Sequence, residues 1–252
     1  MKSPRNVGIY ITMRWILLTF LLAACAGTAH DDELKLLSTI SGDYDIAFWS
    51  RDGSDTAPVH IYIEGDGHAF DAAGNPTADP TPHGRLVRDM AARDPHTNVA
   101  YLARPCQYVM SDACNVHDWT DGRFSAKIIS EMSDAVRFIA RNRPVILIGY
   151  SGGAFVSAAI IEKNPDLNVR QWITVAGVLN HSDWTEYFGD APLTRSVTVN
   201  ILPRVSARHY VASRDSVVPM SLSARWVGAE NLIIVPGARH NRFPDIKIDF
   251  AD

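Results

Sequence analysis

A serine between glycines is the residue of this sequence best suited to nucleophilic chemistry. Residues 149–153 read G-Y-S-G-G, with Ser151 at the centre, and they follow the continuous apolar run Val145–Ile148. Such a run is typical of a strand buried on both faces of a parallel sheet, and the small-residue apolar segment that follows is long enough for a helix. On so tight a turn the serine backbone is strained, and neighbouring Cβ atoms would clash. The pattern therefore predicts a nucleophile elbow that exposes the Ser151 hydroxyl beside the start of a helix.

A serine hydroxyl is a weak nucleophile at neutral pH, so a base must accept its proton. Asp215 follows the predicted strand Arg208–Ala212 and precedes V-V-P, and His240 follows the predicted last strand Asn231–Val235. With this chain order of Ser, Asp and His, the sequence resembles the α/β-hydrolase superfamily. The resemblance implies a catalytic triad of Ser151, His240 as general base and Asp215 as the acid that orients it, although Ser213 stands where many members have glycine.

The same resemblance implies an oxyanion hole after the strand Val59–Ile63. The following residues, 64–68, read E-G-D-G-H, whereas many members have His-Gly at the start of this loop. We expect the backbone N–H groups of Gly152 and Asp66 to be the donors, with Gly67 next to them. The alternative is that this glycine-rich segment is only a tight turn.

Further residues are candidates for the walls of the pocket. The strand Val99–Ala103 ends before a segment that contains Trp119, at the edge where open α/β sheets bind ligands. The candidates are His68, Trp119, Tyr150 and Asp183. Trp119 could instead pack beneath its loop. The H-x-D pair His181 and Asp183 could bind a metal, or Asp183 could replace Asp215 as the acid.

The remaining elements predict a mostly parallel sheet with helices on both faces. Further strands are expected at Tyr44–Trp49 and Gln171–Ala176, and helices are expected at Arg85–Arg93, Ser125–Asn142 and Ser221–Val227. Ser125 is the expected N-cap of its helix. Leu179–Asn200 shows no clear period; in the superfamily this segment carries lid insertions, so its shortness implies a short lid.

The N-terminus is a predicted targeting segment. Arg14 precedes the apolar stretch Trp15–Ala24, which is shorter than the roughly 20 residues of a bilayer span. Residues 22–25 read L-A-A-C and resemble the lipobox of bacterial lipoproteins, which implies lipidation of Cys25 and a membrane anchor. A plain cleaved signal and a membrane anchor with Cys25 incidental are the alternatives, and Met13 is an alternative start. We expect a signal peptide over residues 1–25, a tether or lead-in over 26–43 and one hydrolase domain over 44–252.

Export would place the other two cysteines, Cys106 and Cys114, in an oxidising compartment, where closely spaced cysteines more often pair than bind metal. We therefore expect a disulfide between them. No further cysteine remains for a zinc site and no H-E-x-x-H occurs, so we expect neither a metal nor another cofactor.

Composition sets broad limits on function. The 252 residues are 46% hydrophobic and 21% charged, as in an ordinary globular protein, and the net charge of −4 gives no reason to expect a nucleic-acid partner. The expected substrate is a small acyl compound, most simply a carboxylic ester. A serine peptidase or acyltransferase would use the same triad, and a non-catalytic binding module on the same fold is a further alternative. The sequence does not predict the oligomeric state.

Overall fold

The computed structural model describes residues 34–198 and 202–250, which form an eight-stranded sheet and five α-helices within those ranges. The strands are β1 (Lys35–Ser41), β2 (Asp45–Arg51), β3 (Val59–Ile63), β4 (Val99–Leu102), β5 (Val145–Tyr150), β6 (Val169–Val175), β7 (Ser206–Ala212) and β8 (Leu232–Val235). The helices are α1 (Leu86–Arg93), α2 (Ala126–Ala140), α3 (Gly152–Lys163), α4 (His181–Phe188) and α5 (Met220–Val227).

The sheet is parallel except at one edge. Its order is β1-β2-β4-β3-β5-β6-β7-β8, and only the β1–β2 and β2–β4 pairs are antiparallel. The central strand β5 lies between β3 and β6 and is buried from Val145 to Gly149. Since parallel strands end at the same edge of a sheet, the loops after β3, β5, β7 and β8 can meet above that edge.

Both faces of the sheet are covered, as the sequence predicts. One apolar core joins β3 residues Ile61 and Ile63 to α2 and α3, and a second joins Tyr62 to α1 and the C-terminal segment. The alternation of Ile61, Tyr62 and Ile63 between the two cores follows from the two-residue period of a strand. The Ser125 hydroxyl accepts a hydrogen bond from the backbone N–H of Ile128 (3.2 Å), so it caps α2 as expected.

The structure differs from the sequence interpretation at two elements. The strand β1 lies inside residues 26–43, which the sequence indicates only as a tether or lead-in, and it pairs with β2 at the sheet edge. The helix α4 lies inside the segment in which no period is visible. The Asn180 side chain accepts from the N–H of Asp183 at its start, and Gly189 ends it in the left-handed conformation, so local capping specifies this short helix.

The predicted signal peptide, Cys25 and residues 26–33 of the predicted tether lie outside the described residues. Among the residues that the structure does describe, none belongs to a helix long and apolar enough to cross a membrane.

Candidate active site

The turn between β5 and α3 has the strained geometry of a nucleophile elbow. Ser151 has φ 50° and ψ −123°, a region that residues with a side chain rarely adopt. Its N–H donates to the Val175 carbonyl (3.1 Å), and its own carbonyl accepts from Ala154 and Val178. A Cβ built on Gly153 would overlap the backbone carbonyls that end β3. The glycine therefore allows α3 to start close against the sheet while Ser151 is held in its strained turn.

His240 lies within hydrogen-bond distance of both other predicted triad residues. Ser151 Oγ is 3.0 Å from His240 Nε2, and His240 Nδ1 is 2.9 Å from Asp215 Oδ2. A carboxylate can only accept, so His240 carries its proton on Nδ1 and presents Nε2 as the acceptor for the serine hydroxyl. This arrangement can remove the hydroxyl proton as Ser151 attacks an electrophile.

Asp215 is fixed by the start of the loop before α5. Its side chain is fully buried, and Oδ1 accepts from the backbone N–H groups of Val217 and Val218, each at 2.8 Å. Oδ2 is thereby left for His240. The Tyr150 hydroxyl donates to the backbone carbonyl of His240 (2.9 Å). The loop that carries His240 is therefore held both by Asp215, which follows β7, and by Tyr150, the last residue of β5.

The loop after β3 approaches the elbow closely. A Cβ on Gly65 would lie 3.0 Å from Ser151 Cβ and 3.1 Å from the Tyr150 ring, so a larger residue would force the loop away from the serine. The N–H of Gly65 donates to the Glu64 carboxylate (2.8 Å), so Asp66 supplies the next N–H of the loop. Gly152 opens α3, and the first N–H groups of a helix have no partner within it.

Glu64 is a buried acid directly beneath this loop. Its second carboxylate oxygen accepts from the Tyr101 hydroxyl (2.8 Å), which is itself 3.2 Å from the Tyr108 hydroxyl. Burial raises the pKa of the Glu64 carboxyl to about 7, and the hydrogen bonds from Gly65 and Tyr101 lower it only in part.

A cleft of about 480 Å³ opens above the serine. Most of its wall is apolar and comes from the loop between β3 and α1, from α1 and α4, and from the segments before α2, α4 and α5. These apolar residues are Ala69, Phe70, Pro82, Leu86, Val87, Phe124, Val178, Trp184, Val217 and Val218. Ser151 and His240 line it directly, so a ligand in the cleft can reach the nucleophile.

Comparison with solved structures identifies the fold. An α/β serine hydrolase without a lid from Xanthomonas campestris superposes with a TM-score of 0.51 at 16% identity, over 82% of this chain and 86% of that one. An α/β serine hydrolase homologue from Coxiella burnetii superposes with a TM-score of 0.51 at 17% identity, over 82% of this chain and 89% of that one. Est1E from Butyrivibrio proteoclasticus superposes with a TM-score of 0.53 at 10% identity, over 82% of this chain and 90% of that one. The chain has the α/β-hydrolase fold. No protein-family model and no curated protein sequence matches it.

Within this α/β-hydrolase fold, two of the four predicted pocket residues line the cleft, namely His68 and Tyr150. Trp119 is not among the residues that line the cleft, and its contacts agree with the alternative, that it packs beneath its loop. Its ring joins the core beside α2, and its Nε1–H donates to the Thr77 carbonyl (3.1 Å), so it braces the loop over residues 71–82.

Asp183 also lies away from the cleft. It stands in the first turn of α4, where Oδ2 accepts from Trp226 Nε1 (2.9 Å) and lies 3.6 Å from the Arg225 guanidinium. The acid beside His240 is Asp215, so the structure does not support Asp183 as a replacement acid. Over residues 34–198 and 202–250 no three or more His, Cys, Asp or Glu side chains are grouped to hold a metal ion.

The cysteine pair is joined as the sequence predicts. Cys106 and Cys114 form a disulfide with their Cα atoms 5.8 Å apart. The bridged segment starts at the end of β4, and the buried Gln107 inside it donates to the Gly65 carbonyl (3.0 Å). The disulfide segment therefore supports the loop beside Ser151.

Two arginines near the serine have no clear signal in the sequence. Arg104 and Arg123 are buried, and both contact the Asp66 carboxylate. The position of Arg104 directly after β4 is a weak indication, because ligand sites gather at that edge of the sheet. Arg123 lies in the turns before α2, and nothing in its local pattern marks it.

His181 shares the cleft wall near the serine but has another role. Its Nε2–H donates to the Val197 carbonyl (2.8 Å), and burial lowers its pKa. Its hydrogen bond is to the backbone, whereas the imidazole in contact with Ser151 Oγ is that of His240.

Proposed function

We propose that this protein is a serine hydrolase that cleaves carboxylic esters through an acyl-enzyme on Ser151. The observation that carries the proposal is the unbroken hydrogen-bond line from Ser151 Oγ through His240 to buried Asp215 at the floor of an open cleft. The structural neighbours described above as serine hydrolases support it through their shared fold alone.

In the proposed reaction, His240 Nε2 takes the Ser151 proton while Oγ bonds to the carbonyl carbon. The resulting oxyanion would accept from the N–H groups of Gly152 and Asp66, with Gly67 beside them. His240 then returns the proton to the leaving alcohol oxygen as the carbon–oxygen bond breaks. Water, deprotonated in turn by His240, would hydrolyse the acyl-enzyme, and the proton would return to Ser151. The buried Asp215 stabilises the imidazolium at both steps.

The cleft supports a small or medium acyl compound as substrate. Its volume and mostly apolar wall match those of small-molecule pockets, in which a few polar groups fix the orientation. An ester is the simplest substrate for such a site, because an alkoxide leaves more readily than an amine.

We also propose that the protein is exported and anchored to the cell envelope by a lipid on Cys25. The L-A-A-C sequence supports lipidation, and the disulfide between Cys106 and Cys114 suits an oxidising compartment.

The experiment is covalent labelling with a fluorophosphonate probe, followed by turnover of p-nitrophenyl esters of rising acyl length and of the matching p-nitroanilides. Wild-type protein should be labelled on Ser151 and hydrolyse the esters faster than the anilides. Ser151→Ala should remain folded, lose labelling and lose nearly all turnover. Full labelling of that variant would reject the serine-hydrolase proposal, and faster anilide cleavage would favour a peptidase.

A further inference from the structure

The Asp66 carboxylate packs directly against the nucleophile elbow. A Cβ built on Gly152 would overlap this carboxylate, and its three nearest atoms would all belong to Asp66. Gly152 stands between the serine and the second motif glycine, a place where the elbow pattern itself accepts any residue. The structural reason for glycine there is therefore the neighbouring carboxylate.

Two buried arginines hold this carboxylate. Arg123 Nε is 2.9 Å from Asp66 Oδ2, and Arg104 Nη1 is 3.4 Å from Oδ1. The side chains of Arg104 and Arg123 are 5% and 6% exposed, against 27% for that of Asp66. Arg104 also donates to the Arg123 carbonyl, and both guanidinium groups lie 5.4 Å from the centre of the Phe124 ring. Both cations are thus held by buried contacts; Asp66 and Arg123 line the cleft, and Arg104 does not.

A bare carboxylate at this place would oppose catalysis. The proposed oxyanion forms beside the N–H of Gly152, so it develops next to Asp66, and like charges at short range in a buried site repel strongly. Two arginines against one aspartate leave this cluster with an excess of positive charge, which has the sign that favours an oxyanion.

We propose that Asp66 is a positioning residue for the oxyanion hole, which works only because Arg104 and Arg123 neutralise it. The proposal rests on the function proposed above. The Asp66 side chain is held by the two arginines and packs against Gly152. The backbone N–H of Asp66 therefore keeps a fixed distance from the backbone N–H of Gly152, the other oxyanion donor. The arginines cancel the repulsion that the carboxylate would otherwise exert on the developing charge.

A double-mutant cycle with a p-nitrophenyl ester tests this. Arg123→Gln removes the excess positive charge of the cluster together with the 2.9 Å contact to Oδ2, and should lower kcat by about 100-fold with little change in KM, in the range for loss of one oxyanion donor. Adding Asp66→Asn should restore kcat at least tenfold relative to Arg123→Gln alone. Arg123→Lys keeps the positive charge, so its kcat should fall less than that of Arg123→Gln. The matched control is Arg137→Gln in α2, an arginine outside the cleft wall whose side chain pairs with Asp166 (2.7 Å), and it should leave kcat unchanged.

If the double variant is no more active than Arg123→Gln, the proposed neutralisation is wrong. Gly152→Ala gives a second test that does not depend on removing a buried arginine. Alanine keeps the N–H but displaces the carboxylate, so kcat should fall at least tenfold while the thermal unfolding temperature stays near that of the wild type. An unchanged kcat in Gly152→Ala would overturn the positioning role. Failure of wild-type protein to react with the fluorophosphonate probe would instead reject the proposed function itself.

Discussion

The buried acid Glu64 makes stability depend on pH in a way that can be calculated. Its carboxyl has an ordinary pKa of 4.5 and a folded-state pKa of about 7, raised by burial. A folded-state pKa above the unfolded one means that the folded protein binds the proton more tightly. The associated stability is therefore complete below about pH 4.5 and is lost as the pH rises through 7. With about 1.4 kcal/mol for each unit of pKa difference, the total loss is about 3 kcal/mol.

Glu64→Gln should remove this loss because glutamine stays neutral at every pH. The amide oxygen can still accept from the N–H of Gly65, and its NH₂ can donate to the Tyr101 hydroxyl, which can turn its own proton toward Tyr108. The hydrogen-bond network can thus survive the change. We expect the variant to be similar to wild type at about pH 5 and more stable by about 2–3 kcal/mol at about pH 8.5.

Urea unfolding followed by circular dichroism at the two pH values measures the effect. Other groups also titrate in this range; burial lowers the pKa of His209 to about 4, for example, but they are common to both proteins and cancel in the difference. The matched control is Glu162→Gln, which changes an exposed carboxyl near the end of α3. If wild type and Glu64→Gln show the same pH dependence, Glu64 is not the buried titrating acid described here.

Two further predictions concern the catalytic acid and the anchor. Asp215→Asn should lower kcat by about 10⁴-fold, because the amide favours the wrong tautomer of His240. Asp183→Asn should lower kcat only a few-fold. The reverse order of the two effects in steady-state assays would place the catalytic acid after β6. Cys25→Ser should abolish incorporation of a radioactive fatty acid and leave the precursor unprocessed, and unchanged processing would indicate an ordinary signal-peptidase site.

The strained turn at Ser151 could be predicted from the sequence because it depends on adjacent residues. A buried strand, a serine between glycines and a helix are all local features, and the backbone strain at Ser151 follows from how few residues separate the two elements. Asp215 and His240 could be found for a related reason. Each directly follows a strand of a parallel sheet, and such strands deliver their ends to one edge.

Only the tertiary structure decided what surrounds the nucleophile. Trp119 and Asp183 lie in the segments that follow β4 and β6, yet the Trp119 ring packs into the core and the Asp183 carboxylate accepts a hydrogen bond from Trp226. The contacts of Asp66 with Arg104 and Arg123 span 38 and 57 positions along the chain, so no local pattern marks them. The strained serine turn is specified by neighbouring residues, whereas the charge beside it is set by side chains that meet only when the sheet and its loops are assembled.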